Sequence, residues 1–452
     1  MMRTSDIDTI VSIATAQGEG AIGIVRLSGP HAISIANPCF LSRTSLNTAP
    51  PRTLIYGRFV SSGQALDEVL ASVMYGPNSY TGENTVEFNC HGGPFLLRRV
   101  VEALVNSGAR LALPGEYTKR AFLNGKLDLS QAQAVADMIS APTDLSLQSA
   151  YFQLRGGLKG RFQAMAEGLR HVAMLLEAGL DFSEDVEIDL DRVSFSLQNT
   201  LAETQKLIDS YQHGKLIREG AVIALVGKPN VGKSSLLNRL LEEDRAIVTP
   251  VPGTTRDTIE ESIDLDGIRA TLVDTAGIRE TNDPVELEGT RRSKQFIDRS
   301  NLVLVTVDGS LPPSLDDAAL INDFDPDKSF LVLNKSDLSS DPAWSQIELS
   351  SQIIVSALEG FGIDNLRHRI REKLLGQKQI STDVITQERQ MLALQLARQG
   401  LLHALESLEL GQPGEIIAMD IRIALDALSD IIGETTADDV LDQIFKTFCI
   451  GK

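Results

Sequence analysis

Residues 227–234 read Gly-Lys-Pro-Asn-Val-Gly-Lys-Ser, a complete phosphate-binding loop in the middle of a 452-residue chain. Before it, Ala221-Val222-Ile223-Ala224-Leu225-Val226 is an unbroken apolar run that predicts a strand buried on both faces. After it, Ser235-Leu236-Leu237-Asn238-Arg239-Leu240-Leu241 opens as a helix. Strand, glycine-bearing loop and helix are what phosphate binding requires. Gly227 and Gly232 permit the tight turn, while backbone N–H groups from Asn230, Val231 and Gly232 on to Ser235 face the phosphates at the helix N-terminus. Lys233 reaches the outer phosphates, a catalytic role, and the Ser234 hydroxyl is the expected Mg²⁺ ligand. A nucleotide site so placed is flanked by two other bodies of protein.

Three further motifs follow in order. Asp274-Thr275-Ala276-Gly277 ends the apolar run 270–273, where a carboxylate can hold Mg²⁺ through water and a glycine amide can reach the γ-phosphate. Asn334-Lys335-Ser336-Asp337 ends the strand-like run 330–333. Asp337 can accept two hydrogen bonds from guanine, and adenine offers no such pair; each polar group left unsatisfied costs about 1–3 kcal/mol. Ser356-Ala357-Leu358, after the run 353–355, matches a loop that contacts the guanine face. Any one of these has a bland reading as a strand-end turn. Four in order, each on a strand end, resemble the Ras-like GTPases, which implies GTP as the nucleotide.

The residue after Asp-Thr-Ala-Gly is Ile278, where many GTPases carry the glutamine that orients attacking water. An isoleucine cannot do that. The run 249–257, Thr-Pro-Val-Pro-Gly-Thr-Thr-Arg-Asp, resembles a switch loop with Thr255 as second Mg²⁺ contact. With these features the whole chain resembles the MnmE (TrmE) family of bacterial tRNA-modification GTPases, of the TrmE-Era-EngA-like group. That resemblance implies Glu286 as the catalytic group that positions water. It also implies K⁺ in place of an arginine finger, held by Asn230 and by oxygens of Thr249, Val251 and Thr254, with Thr249, Thr254 and Thr255 all lining the GTP site. A fixed cation beside the β–γ bridge would do the work for which a finger supplies about 10³–10⁵-fold. Arg256 and Arg279 lie nearby and are set aside as fingers.

Composition bounds the rest. The chain holds 42 Lys+Arg against 61 Asp+Glu, a formal charge of −19, which argues against a broad basic surface that coats nucleic acid. Contact with tRNA is then local or shared with a partner. Cys39, Cys90 and Cys449 make no pair spacing, so neither a disulfide framework nor a zinc site is indicated, which suits a reducing cytoplasm. No signal-length apolar core and no membrane-length segment is visible. The expected protein is cytoplasmic, with no membrane association.

The chain changes character around the loop. Residues 1–122 alternate short apolar runs (9–14, 21–27, 53–60, 68–74, 85–88) with turn signals, and a helical pattern covers 95–105, giving a mixed α/β unit. Residues 123–216 and 379–452 read as helical, including the stretches 386–410 and 415–432. A last helix over 437–448 has Thr436 as its expected cap and Asp439 three residues on. The expectation is multidomain α/β plus all-α: an N-terminal α+β domain (1–122), one helical bundle in two pieces (123–216 and 379–452), and an inserted doubly wound α/β GTPase domain (217–378).

The N-terminal unit carries a second signal. Residues 80–94, with His91 among glycines and polar groups, and residues 114–129 look like loops that pack closely on a ligand. His91 by itself reads as a structural hydrogen-bonder. Both stretches resemble the family's tetrahydrofolate-binding domain. The resemblance implies Arg26, Glu87 and Lys126 as contacts to a one-carbon tetrahydrofolate (5,10-methylene or 5-formyl), with Lys452 joining them. The chain ends Cys449-Ile450-Gly451-Lys452, which fails as a prenylation box. The family ends in the same tetrapeptide, and Cys449 is then a candidate for the modification chemistry. The resemblance further implies a homodimer formed through the N-terminal domain, and a flavoprotein partner, MnmG, carrying FAD and using NADH. Together they would add an aminomethyl-type group to C5 of the wobble uridine of certain tRNAs. Two rivals are a ribosome-assembly GTPase, disfavoured by the acidic flanks, and a folate-dependent transferase with a regulatory GTPase.

Overall fold

The computed structural model describes residues 8–181, 189–243, 261–274, 296–346, 352–376, 381–449 and 451. The chain gathers into two compact units, Met1–Ala136, Gln153–Val193 and His403–Lys452 in the first, Asp137–Phe152 and Ser194–Leu402 in the second.

The first unit opens with β1 (Ile10–Ile13), β2 (Gly20–Ser28), α1 (Ala32–Ala36), β3 (Phe40–Leu41), β4 (Ile55–Ser61), β5 (Gln64–Met74), β6 (Thr85–Gly92), α2 (Pro94–Asn106), β7 (Arg110–Leu111) and α3 (Glu116–Leu123). Its sheet runs β3-β4-β5-β6-β2-β1-β7, antiparallel throughout except for β1 against β7. The period of two decides which face is inward: Val69, Ala71 and Val73 of β5 are buried while Leu70 is exposed. Helix α2 starts at Pro94, whose missing N–H costs nothing in the first turn. Its Leu97, Val100, Val101 and Leu104 share a core with Phe59 and Phe88, whose rings meet edge to face at 5.1 Å. The five expected strands and the expected helix are all present. The two-residue β3 and β7 carried no signal, because a strand that short has no period.

Then follow α4 (Leu129–Ser140), α5 (Asp144–Leu154), α6 (Gly157–Asp181) and α7 (Leu190–Glu219), and, beyond the α/β segment, α11 (Glu388–Glu409), α12 (Gly414–Ile432) and α13 (Asp438–Lys446). In the first unit α6 packs along α12, so helices from opposite sides of that segment are partners. Each presents one apolar stripe at helical spacing, Leu158, Phe162, Met165, Leu169, Val172 and Leu176 on α6, and Ile417, Ile421, Ala424, Leu428 and Ile431 on α12. One expectation fails here. Thr436 does not cap the last helix; Ala437 occupies the N-cap without a side-chain bond. The Thr436 hydroxyl instead donates to the Asp430 carboxylate at 2.8 Å, near the end of the preceding helix.

The second unit holds β8 (Ala221–Val226), α8 (Lys233–Glu243), β9 (Glu261–Asp264), β10 (Arg269–Asp274), β11 (Leu302–Asp308), α9 (Leu315–Asn322), β12 (Ser329–Asn334), β13 (Gln352–Ile354) and α10 (Ile363–Leu375). The sheet order is β13-β12-β11-β8-β10-β9, parallel except for the β9–β10 hairpin, the doubly wound order of Ras-like GTPase domains. One face packs on α8 and α10 through Leu236, Leu240, Leu366 and Ile370, the other on α9 and Trp344. The carboxyl ends of the parallel strands share one edge, where such sheets bind ligands.

The chain enters and leaves this α/β body at a tight root. The Ile385 N–H donates to Ser210 Oγ at 3.3 Å, and a Cβ on Gly214 of α7 would lie 2.0 Å from the Ile385 carbonyl oxygen. Beside it Gln387 Nε2 donates to Asp137 Oδ2 at 2.9 Å, and Arg218 donates to Gln387 Oε1. Burial pushes the Asp137 carboxyl up to about 6, against the pull of Arg218 and the Gln387 bond.

Two predictions follow from packing and charge. Gly168 of α6 has open space where a Cβ would go. Gly168→Ala is expected to raise the thermal midpoint, by the roughly 0.5–1 kcal/mol that separates alanine from glycine inside a helix. Gly214→Ala, the same exchange in another helix, is expected to lower it by about 1–3 kcal/mol of overpacking. For Asp137, the folded protein binds the proton more tightly than the unfolded chain. The cost of holding it charged is therefore full above pH about 6 and is relieved as pH falls through that value toward the ordinary 3.8. Asp137→Asn should stabilise by up to roughly 2–3 kcal/mol well above the folded pKa, with the gain vanishing at the acid end in a pH series of unfolding curves.

Candidate nucleotide-binding site

The phosphate loop connects β8 to α8 at that edge. Its two glycines are there for backbone approach. A Cβ on Gly227 would stand 2.3 Å from the Thr306 carbonyl oxygen, and one on Gly232, whose φ is +96°, would stand 2.3 Å from Asn334 Nδ2. Asn230 adopts φ +65°, which asparagine tolerates better than most residues. Val231 is buried. Lys233 is buried too, and its ammonium donates to the carbonyls of Gly227 at 2.8 Å and Lys228 at 2.9 Å. Burial lowers its pKa, and the Asp274 charge opposes the shift.

Ser234 Oγ donates to Asp274 Oδ2 at 3.0 Å, so two expected Mg²⁺-side groups meet. The other Asp274 oxygen, Oδ1, is buried and has no hydrogen-bond partner among the described residues. A buried anionic oxygen without a donor, next to a hydroxyl, suits a hard cation with oxygen ligands. Ser235 follows in the first turn of α8.

On the base side, Asn334 is 2% exposed and bridges two segments. Its Nδ2 donates to the Val231 carbonyl at 2.8 Å and its Oδ1 accepts from the Ala357 N–H at 3.0 Å. Lys335, at φ +66°, donates to Asp308 Oδ2 at 2.6 Å. Burial alone would raise the Asp308 carboxyl; the bonds from Lys335 and Ser310 outweigh it and hold the group below its ordinary value. Asp337 Oδ1 accepts from the Ser356 hydroxyl at 2.6 Å, which fixes the carboxylate plane. Leu358 is exposed beside them.

The fold thus brings together Asn230, Val231, Gly232, Lys233, Ser234, Ser235 and Asp274 on one side, and Asn334, Lys335, Asp337, Ser356, Ala357 and Leu358 on the other. Thr249, Val251, Thr254, Thr255, Thr275, Ala276, Gly277, Glu286 and Lys452 lie outside the described residues. Sequence reading missed Asp308, although it ends the apolar run 302–307 as the other motifs end theirs. It also missed the anchor of the loop's second residue: Lys228 pairs with Asp317 at 3.0 Å and donates to Ser314, in the capping box of α9.

A second polar cluster occupies the first unit. Arg26 and Glu87 sit opposite each other on β2 and β6, and Arg26 Nε donates to Glu87 Oε1 at 2.7 Å. Lys126 does not share that pair; its ammonium donates to the Pro77 carbonyl at 3.0 Å. Between them runs a network absent from the sequence reading. Arg120, 5% exposed, pairs with Asp8 at 2.7 Å, Glu116 at 3.0 Å and Glu83 at 3.1 Å, and Glu83 accepts from Ser28. Its members come from four distant segments, so no spacing announces it. His91 is held by Asp67, through Nδ1 at 2.6 Å and the backbone N–H at 2.8 Å. Cys39 and Cys90 are buried, and burial pushes the Cys90 thiol up to about 12; Cys449 is exposed. The Cys449 carbonyl accepts from the Gly115 N–H, and Gly451 packs against β1, where a Cβ would stand 2.4 Å from the Ile13 oxygen.

Family comparison agrees with this organisation. Residues 9–126 match the profile described as GTP-binding protein TrmE N-terminus, and residues 129–449 match the MnmE helical domain. The chain is similar to the tRNA modification GTPase MnmE of Syntrophotalea carbinolica, 43% identical over 452 residues, spanning 98% of this chain and 99% of the relative. It is equally similar to that of Moorella thermoacetica, 43% identical over 460 residues, and close to that of Clostridioides difficile, 41% over 455, with the same coverage. Among the described residues no helix is long and apolar enough to cross a membrane. With near-complete coverage at this identity, and a Ras-like sheet carrying the phosphate loop, the chain belongs to the MnmE family of tRNA modification GTPases.

Proposed function

We propose that this GTPase acts with an MnmG-type flavoprotein, the carrier of FAD and user of NADH, to add an aminomethyl or carboxymethylaminomethyl group to C5 of the wobble uridine of certain tRNAs. It works in the cytoplasm as a homodimer joined through an N-terminal domain (1–122) that binds a one-carbon tetrahydrofolate. GTP hydrolysis in the inserted domain (217–378) times the reaction by cycling the paired GTPase domains, while the helical domain (123–216 and 379–452) carries them. The observation that carries this reading is the junction of phosphate loop and base motifs through Asn334, in a chain alike to its relatives from end to end.

In this reading the Lys233 ammonium leaves the carbonyls of Gly227 and Lys228 for the outer phosphates. Ser234 and Thr255 would hold Mg²⁺, with Asp274 acting through water, and Asn230, Thr249, Val251 and Thr254 would hold K⁺, the two ions offsetting charge on the phosphates. Glu286 orients the attacking water in place of the absent glutamine. Asp337, its plane set by Ser356, reads guanine's N–H edge. In the first unit, Glu87 offers its carboxylate to the N–H face of a pterin, while Arg26, Lys126 and Lys452 meet anionic groups. Packing of Gly451 on β1, whose Ser12 faces Arg26 in register, supports a tail that reaches this cluster and brings Cys449 to it.

Nucleoside analysis of tRNA from a strain lacking the gene is expected to show unmodified wobble uridine where the parent carries the modification. Intact modification overturns the proposal. GTP turnover by the purified protein should be faster in K⁺ than in Na⁺ of equal ionic strength, and Asn230→Ala should abolish the difference. Equal wild-type rates in the two salts would reject the potassium site.

A further inference from the structure

Helix α8 begins with Lys233 and Ser234, on the phosphate side. Fewer than two turns along, Arg239 crosses to the base side. Its Nε donates to the Ala357 carbonyl at 3.1 Å and its Nη2 to the Leu358 carbonyl at 2.5 Å, while Glu242 pairs with the same guanidinium at 3.4 Å. A planar fork that grips two successive carbonyls fixes two successive peptide planes. In a trans peptide the N–H points opposite to the preceding carbonyl. With the Ala357 oxygen turned to Arg239, the Leu358 N–H is turned away from α8.

The donors of this loop can be accounted for one by one. The Ser356 N–H donates to the Phe361 carbonyl at 2.9 Å, Ala357 to Asn334 Oδ1, Glu359 to Ser356 Oγ at 3.1 Å and Gly360 to the Ser356 carbonyl at 2.8 Å. Among the described residues the Leu358 N–H has no such bond. It stands next to the Ala357 amide, which shares Asn334 with the phosphate loop, and its own side chain is 75% exposed.

We infer that Arg239 is a positioning residue for base selection: it aims the Leu358 N–H at the 6-oxo group of a bound guanine. Adenine carries an amino group at that position and would set donor against donor. This deepens the reading of residues 356–358 as the guanine loop and rests on it. Because Arg239 and Lys233 share one helix, the same element also ties the base contact to the phosphate contact.

The test measures affinity and dissociation of fluorescent GDP, IDP and XDP, with pyrophosphate as a competitor that needs the phosphate loop alone. All three bases carry the 6-oxo group; they differ at the edge read by Asp337. Arg239→Met is expected to weaken GDP and IDP by the same factor, about tenfold, as for one lost hydrogen bond of ordinary net strength. The GDP/IDP ratio, pyrophosphate affinity and the unfolding midpoint without nucleotide are expected to stay as in the wild type, and Arg239→Lys should fall between. Unchanged GDP affinity in Arg239→Met overturns the inference. So does an equal loss for pyrophosphate with a lowered midpoint, which marks a structural role alone. Asp337→Asn reports separately on the underlying reading: it should exchange GDP preference for XDP preference, and an unaltered preference removes the base pocket whatever Arg239 does.

Discussion

The side-chain amide of Asn334 accepts from Ala357 and donates to Val231, so one planar group spans the gap between the base loop and the phosphate loop. Both loops are irregular backbone outside the sheet ladder, and the bonds within each do not by themselves set one loop against the other. In a buried setting an amide lacking either bond would cost more than the bond itself contributes. The surrounding choices follow from that constraint. Gly232 has no Cβ because the amide nitrogen fills the space. Lys335 takes φ +66° because the chain must turn directly after Asn334, and its side chain then meets Asp308 on the neighbouring strand.

The first unit is organised by charge. Arg120 collects three carboxylates, Glu116 from one turn earlier on its own helix and Asp8 and Glu83 from distant segments, and Arg110 shares two of them. Burial by itself would raise the Asp8 and Glu116 carboxyls, but the two guanidiniums hold both below the ordinary range. Such a cluster gains little net stability over apolar packing, yet removing one member leaves a buried charge uncompensated. It holds β1, the 77–83 loop and α3 together, the segments that border Arg26 and Glu87. The C-terminal tail joins the same region through glycine, since the Ile13 carbonyl leaves no room for a side chain at Gly451.

Much of the fold was visible in the chain. Hydrophobic period placed most strands and helices of the first unit, and unbroken apolar runs placed β8, β10, β12 and β13 in the second, while β9, β11, α9 and α10 were not read from the sequence. The phosphate loop and the three later motifs were visible because each is contiguous. Asn334, Asp337 and Ser356 were named from spelling, and they do converge. What the spelling could not give was the direction of their bonds. Asp337 was read as a base contact, and the structure adds that Ser356 orients it. Thr436 was read as a helix cap from a four-residue pattern, but a nearby carboxylate, Asp430, took its hydroxyl.

By itself, then, the sequence determined most of the elements, the nucleotide motifs and the family, all of which depend on residues close together in the chain or on similarity along its whole length. Only the tertiary structure decided which polar groups meet: Arg120 with Asp8 and Glu83, Asp308 with Lys335, Arg239 with the carbonyls of Ala357 and Leu358. Those pairs join residues from 27 to 119 positions apart. Local propensity carries no record of such distances. They are set when apolar faces stack, and the polar side chains left at the edges must then find partners or remain costly.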